Sequence, residues 1–266
     1  MAHPPTLELF AEELRLCRTA AGLSQDALGT EIRFSASLVA AVEQCRRIPR
    51  LEFTARCDDV LKTGGRLERI RKKLGQEVVL AWFREWVQIE REATMLRWYE
   101  PLVVPGLLQT EEYARALLCG ASRFTEDELE QQVVGRLERQ AVLDRNPPPL
   151  FVAVLDEYIL RRPVGGPAVM AEQLRHLAEL ARRPRVHLHV VPSATGAYPG
   201  LNGAFVLATP PEGDDAAYLD NQLHGYVVQR QADVLSLAET RESVRARVLS
   251  HDESVHMIEE AAKAWS

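Results

Sequence analysis

Residues 22–49 read GLSQDALGTEIRFSASLVAAVEQCRRIP, and their punctuation sets the plan for the first quarter of the chain. Gly22 closes an amphipathic run in which Leu7, Phe10, Leu14 and Cys17 recur at steps of three and four residues, the period of one helix face. Ser24 stands where its hydroxyl can accept a backbone N–H at the start of a helix over SQDALGTEI. A tight joint follows at Arg33 and Phe34, and Ser35 caps a third helix over SASLVAAVEQC. Pro49 ends the connection to a fourth helix that carries Leu51, Ala55 and Leu61.

Two short helices joined by a brief turn, inside a bundle of four or five, make the helix-turn-helix plan, whose second helix enters the major groove. The quoted string resembles the Cro/repressor (Xre) type of that plan. The resemblance implies a contact from Gln25 to the DNA backbone or an adjacent base. It also implies that Ser35, Ala36, Ser37 and Ala40, with Ala41 close behind, face base edges, and that Arg46, Arg47 and Arg33 anchor phosphates. Alanine stands at 36 and 41, where arginine is common in this type. The discrimination of about 1–3 kcal/mol that a bidentate arginine–guanine contact supplies is therefore missing. Serine, glutamine, apolar contact with thymine methyls and DNA shape must carry specificity instead. A homodimer on double-stranded DNA would offset so weak a reading head.

Bulk properties agree with a small polyanion-binding head on an acidic body. The net charge of −6 divides unevenly: 13 basic against 10 acidic residues through Gly75, and 19 against 28 beyond it. No run of eighteen apolar residues occurs, so no membrane span is expected. The opening MAHPPTLELF has neither a basic leader nor an apolar block, which argues against secretion. Cys17, Cys45, Cys57 and Cys119 lack paired metal-type spacing and read as reduced thiols of a cytoplasmic protein.

Past the head, Val79, Trp82, Phe83, Trp86 and Ile89 fall on one helical face, and with Trp98 the region holds three of the four tryptophans. The plain reading is a helix packed between two domains. The functional reading is an aromatic site for a partner or effector, with Trp82, Trp86, Trp98, Tyr99 and Tyr198 as its candidates. Pro101 and Pro105 forbid a core helix or central strand over WYEPLVVPGLL, residues 98–108. That stretch reads as a proline-stiffened arm whose apolar side chains must be covered, within its own domain or across a dimer seam. Thr110 then caps a helix with Glu111 and Glu112 in its first turn.

The segment WYEPLVVPGLLQTEEYARALL resembles the signature of a C-terminal domain found in many actinobacterial Xre-type regulators and described as antitoxin-like. The likeness runs on through FVAVLDEYILRRPVGG and RVHLHVVPSATGAYPGLNGAFVLA to the end of the chain. It implies a small protein partner encoded nearby.

In the C-terminal body, Thr125 with Glu128 and Ser250 with Glu253 have capping-box spacing. Short strands are expected over FVAVLDE, RVHLHVVP, GAFVLAT, AAYLDN and HGYVVQ, with an amphipathic helix over GPAVMAEQLRHLAELARRP. The expected fold is mainly α: a helix-turn-helix bundle over 1–75, a connecting helix over 76–98, and an α+β domain over 99–266 with a small, largely antiparallel sheet. His187 and His189 alternate on one strand, and His176 lies on the preceding helix, yet no carboxylate or cysteine at ligand spacing completes a zinc set. GAYPGLNG lacks the lysine and following helix of a phosphate loop. Asp156 and Glu157 read as a helix start balanced by Arg161 and Arg162. No catalytic residue, metal or cofactor is expected. The expected function is a dimeric, sequence-specific DNA-binding regulator whose C-terminal domain binds a partner or effector; the alternative is an antitoxin-like protein with DNA binding secondary.

Overall fold

The computed structural model describes residues 5–78, 83–120, 124–221 and 225–266, and their contacts divide them into two compact units. The described residues of Met1–Leu80 and Ala121–Gly135 form one; those of Ala81–Gly120 and Arg136–Ser266 form the other.

In the first unit α1 (Pro5–Ala20), α2 (Gln25–Ile32), α3 (Ala36–Glu43), α4 (Leu51–Leu61) and α5 (Arg66–Val78) follow in order. Their ends are set by side-chain chemistry. Ser24 and Ser35 accept the Ala27 and Leu38 N–H groups at 3.0 and 3.2 Å. Asp58, late in α4 and buried, accepts the Leu67 and Glu68 N–H groups at 3.0 and 2.8 Å, so α5 is capped by a carboxylate from another helix. Phe10, Leu14, Leu28, Val39, Phe53 and Leu67 fill the core. A second apolar cluster joins Leu7, Ile48 and Leu74 to Val134, which belongs to the later segment of this unit.

The second unit is built on a sheet. Its elements are α6 (Arg84–Glu92), β1 (Met95–Glu100), α7 (Glu111–Gly120), the end of α8 (Glu126–Arg139), β2 (Leu150–Asp156), α9 (Pro167–Ala181), β3 (Val186–Val191), β4 (Phe205–Thr209), β5 (Ala216–Leu219), β6 (Tyr226–Val228), α10 (Gln231–Arg245) and α11 (His251–Ala264). Among the described residues the strands form one six-stranded sheet in the order β3-β2-β1-β4-β5-β6. β1, β2 and β3 run parallel, whereas β4, β5 and β6 each run antiparallel to the strand before them in that order.

This mixed sheet overturns the expected small, largely antiparallel one. The physical reason is β1. By its pattern Met95–Glu100 reads as the end of a helix and the start of an arm, yet it sits in the middle of the sheet, paired with β2 on one side and β4 on the other. With β1 in place the chain must cross over to reach β2, and α9 carries a second crossover from β2 to β3. Crossovers of that length join parallel neighbours.

Pairing register sorts the two faces. Trp98, Val206 and Tyr218 lie in one row across β1, β4 and β5, packed with Trp86 of α6, Tyr113 of α7, Leu174 of α9 and Ile258 of α11. Tyr99, Val154, Phe205 and Leu207 lie on the opposite face, under Val234 and Val244 of α10. The outer edge of β3 is covered: Val190 N–H donates to Ser254 Oγ at 2.9 Å, and Leu249 N–H donates to Val190 O at 2.9 Å. A covered edge cannot recruit a foreign strand.

The proline-bearing stretch after β1 packs within its own unit. Val104, Leu107 and Leu108 are buried, and side chains satisfy the backbone that the prolines keep out of regular structure. Gln173 of α9, fully buried, donates to Leu108 O at 2.7 Å and accepts from Thr110 N–H at 2.8 Å. Gln109 donates to Val104 O at 2.6 Å, and the Tyr113 hydroxyl accepts from Val104 N–H at 3.2 Å. Replacing Gln173 by Leu keeps the bulk but strands two backbone groups, each at a cost of about 1–3 kcal/mol. Urea unfolding followed by circular dichroism should show a loss of about 2–4 kcal/mol for Gln173→Leu; a loss below about 0.5 kcal/mol would mean that other contacts hold the arm.

Candidate nucleic-acid interface

α2 and α3 meet through a turn of three residues, Arg33 to Ser35. Arg33 takes a left-handed conformation (φ 60°) at the end of α2, and Phe34 N–H returns to Gly29 O at 2.8 Å. That closure brings backbone against backbone. A Cβ at Gly29 would lie 2.9 Å from Phe34 O and 3.0 Å from Ala36 N, so only glycine admits α3 this close.

The pair is fixed to α1 by one carboxylate. Glu43, at the end of α3 and only 3% exposed, receives Arg18 Nε at 2.6 Å and Arg18 NH2 at 3.0 Å. Gln25 Nε2, at the start of α2, donates to Glu43 Oε2 at 2.7 Å. Arg18 also donates to Leu23 O at 2.7 Å, in the turn ahead of α2, and Arg15 donates to Glu43 O at 3.2 Å. The hydrogen bond to Glu43, ahead of the opposing effect of burial, pushes the Arg18 guanidinium above its ordinary pKa. A forked arginine on a carboxylate is among the stronger and more directional contacts available to a protein.

These constraints leave one surface facing outward. Arg33, Ser35, Ser37, Gln44, Arg46, Arg47 and Arg50 are exposed, and Ala36 and Ala40 are partly so. The Ser35 hydroxyl serves as the cap of α3 and lies 2.9 Å from that of Ser37, so both mark the helix's positive end. Arg46 and Arg47 follow α3 in a turn, their N–H groups donating to Ala41 O at 2.8 and 3.2 Å. Ala41 itself is buried, at 9% exposure, and faces the core side. Gln25 is half-buried and held by Glu43.

The described aromatic candidates lie on the two opposite faces of the sheet. Trp82 lies outside the described residues. Trp86 is fully buried: its ring stacks on Tyr218 at 5.1 Å and its Nε1 donates to Glu90 Oε2 at 3.3 Å. Glu90 in turn is forked onto Arg139 at 2.9 and 2.7 Å, and the Arg139 guanidinium lies over the Phe83 ring at 4.4 Å. Trp98 is buried on the same face against Phe151. Tyr99 and Tyr198 meet on the other face, their hydroxyls 2.8 Å apart, with Tyr198 donating to Asp156 Oδ2 at 2.6 Å. Burial, against the lowering effect of the bond to Tyr198, pushes the Tyr99 phenol up to about 12. Among the described residues no group of three or more His, Cys, Asp or Glu is arranged to hold a metal.

Sequence reasoning missed the residues that position this surface. Gly29 carried a signal, since an isolated glycine inside a helical pattern points to close backbone approach. The Arg18–Glu43 fork had none, because nothing local pairs residues 25 positions apart. Arg50, exposed just ahead of α4, extends the run of surface arginines beyond the paired Arg46 and Arg47.

A family model described as "Helix-turn-helix domain" matches residues 9–70. A second, described as "Domain of unknown function (DUF5753)", matches residues 83–260. No curated protein and no solved structure matches the chain.

Removing one partner of a buried ion pair leaves the other charge uncompensated, at a cost of about 3–5 kcal/mol. Glu43→Ala should therefore accelerate amide hydrogen exchange in α2 and α3 by about a hundredfold or more. The double replacement with Arg18→Ala should cost less than the sum of the two single changes. Additive costs would show that the two side chains are not coupled.

Proposed function

The chain belongs to the DUF5753 family and carries a helix-turn-helix domain ahead of that region, and from this premise we propose that it is a sequence-specific DNA-binding transcriptional regulator of the Xre type, acting as a dimer. The observation that carries the reading is the joint exposure of Ser35 and Ser37 at the start of α3 with Arg33, Arg46 and Arg47 around it. α3 enters the major groove by its capped end. Ser35 and Ser37 reach base edges, Ala36 and Ala40 offer apolar contact to thymine methyls, and the arginines hold phosphates on either side. Gln25 gives one amide hydrogen to Glu43 and keeps a second for a phosphate oxygen.

Dimerisation follows from affinity. A protomer that neutralises about three phosphates binds weakly at cellular salt, and a pair neutralises about six. The C-terminal unit supplies the dimer contact and the site for a partner protein or effector; we assign it no catalytic role. The free state of all four cysteines suits a cytoplasmic address. One observation favours a second reading, in which an antitoxin-like C-terminal unit neutralises a small partner protein and DNA binding is secondary: the early surface of α3 offers two hydroxyls and two methyls, a sparse set for direct readout.

Gel-shift titration against the DNA upstream of the chain's own gene separates the two. Affinity should fall by about a thousandfold over a fourfold rise in salt for the dimer. Arg46→Ala with Arg47→Ala should weaken all sequences alike and reduce the salt slope by about two per protomer. A folded protein that shows no salt-sensitive retention would leave only the second reading.

A further inference from the structure

α10 covers the β4–β5 side of its sheet face and leaves a groove of about 440 Å³ over the first halves of β1, β2 and β3. Its floor is apolar, made by Met95, Leu150 and Val152. Pairing register places Arg97, Val152 and His187 in one row across the three strands, with His189 one step along β3. Arg241 and Arg245, one helical turn apart at the end of α10, close the opposite wall.

We propose that this groove binds a small organic anion, a carboxylate or phosphate headgroup carried on an apolar body. Three guanidiniums converge there. Arg97 is paired with Asp215 and donates to Thr209 Oγ1 at 3.0 Å; Arg241 donates to Glu242 Oε1 at 2.8 Å; Arg245 lies 3.6 Å from Glu242 Oε2. Two carboxylates thus serve three arginines, and two imidazoles stand beside them. Arg241 is only 7% exposed, and its Nε and that of Arg97 are buried without a hydrogen-bond partner. A buried donor with no acceptor costs about 1–3 kcal/mol, more when charged. An anion in the groove supplies a further negative partner and relieves the mutual repulsion of the arginines.

Arg245 alone would suit the negative end of the α10 dipole. That account leaves the burial of Arg241 and the placement of Arg97 on another element unexplained. The histidines line the same groove. His189 Nδ1 lies 3.1 Å from Leu249 O, a carbonyl that can only accept, so Nδ1 carries the hydrogen; Nε2 is then the acceptor of the neutral ring and donates to an anion only once it gains a proton. Burial, opposed by the bond to Leu249 O and reinforced by His251, Arg245 and His187, holds the His189 ring below its ordinary pKa. Surrounding arginines make the pair a poor metal site and a good anion site.

The test uses the full chain without DNA, so its outcome is independent of the regulatory reading. Phenyl phosphate and benzoate are titrated separately while the His187 and His189 ring resonances are followed by NMR, with benzyl alcohol as the neutral control. At least one anion should shift both rings saturably and bind about tenfold or more tightly than the alcohol; which one does so names the headgroup. Arg241→Met and the exposed Arg245→Ala should each weaken that binding by about five- to tenfold. Arg245→Ala keeps the test valid if the buried change disturbs folding. Equal binding of the alcohol, unchanged affinity in Arg245→Ala, or no shift of either ring by both anions would overturn the proposal.

Discussion

Glu43 holds three helices in register from the inside of the N-terminal unit. Its carboxylate takes the fork of Arg18 from α1 and the amide of Gln25 from α2 while standing at the end of α3. Because the group is almost wholly out of water, each bond is directional and difficult to replace. The outward surface is a consequence. With α2 and α3 locked behind, Ser35, Ser37 and the arginines around them are presented on a rigid element, the condition for reading a fixed groove.

The larger unit depends on a different constraint. β1 is hydrogen-bonded on both sides, and its two faces feed two separate cores. Even positions, Leu96 and Trp98, go to the face packed by α6, α7, α9 and α11; Arg97 and Tyr99 go to the face under α10. One strand thereby supplies a buried tryptophan, half of the tyrosine pair and the innermost arginine of the groove. The prolines that follow end the strand, and side-chain amides complete what the backbone there lacks.

Much of this was legible in the sequence where the signal is local. Ser24 and Ser35 cap as expected, and the Thr125–Glu128 and Ser250–Glu253 boxes close with the spacing their chemistry requires. β2 through β6 coincide with the apolar runs assigned to strands. β1 escaped because MLRWYE follows a helical run without a breaker and leads into two prolines, so its alternation was too short to stand out. Strand direction escaped too, although the strand–helix–strand order through α9 carries it. The groove was beyond reach: His187 and His189 invited a metal reading, and only the fold brings Arg97 and Arg241 to them.

Val134 lies far along the chain yet packs with Leu7, Ile48 and Leu74. The polypeptide therefore leaves the small helical unit and comes back to finish it. A polypeptide cut short near residue 80, by a protease or an early stop codon, would keep all five opening helices but uncover an oily seam on them. Such a fragment would tend to self-associate, and its behaviour on DNA would be a poor guide to that of the intact molecule.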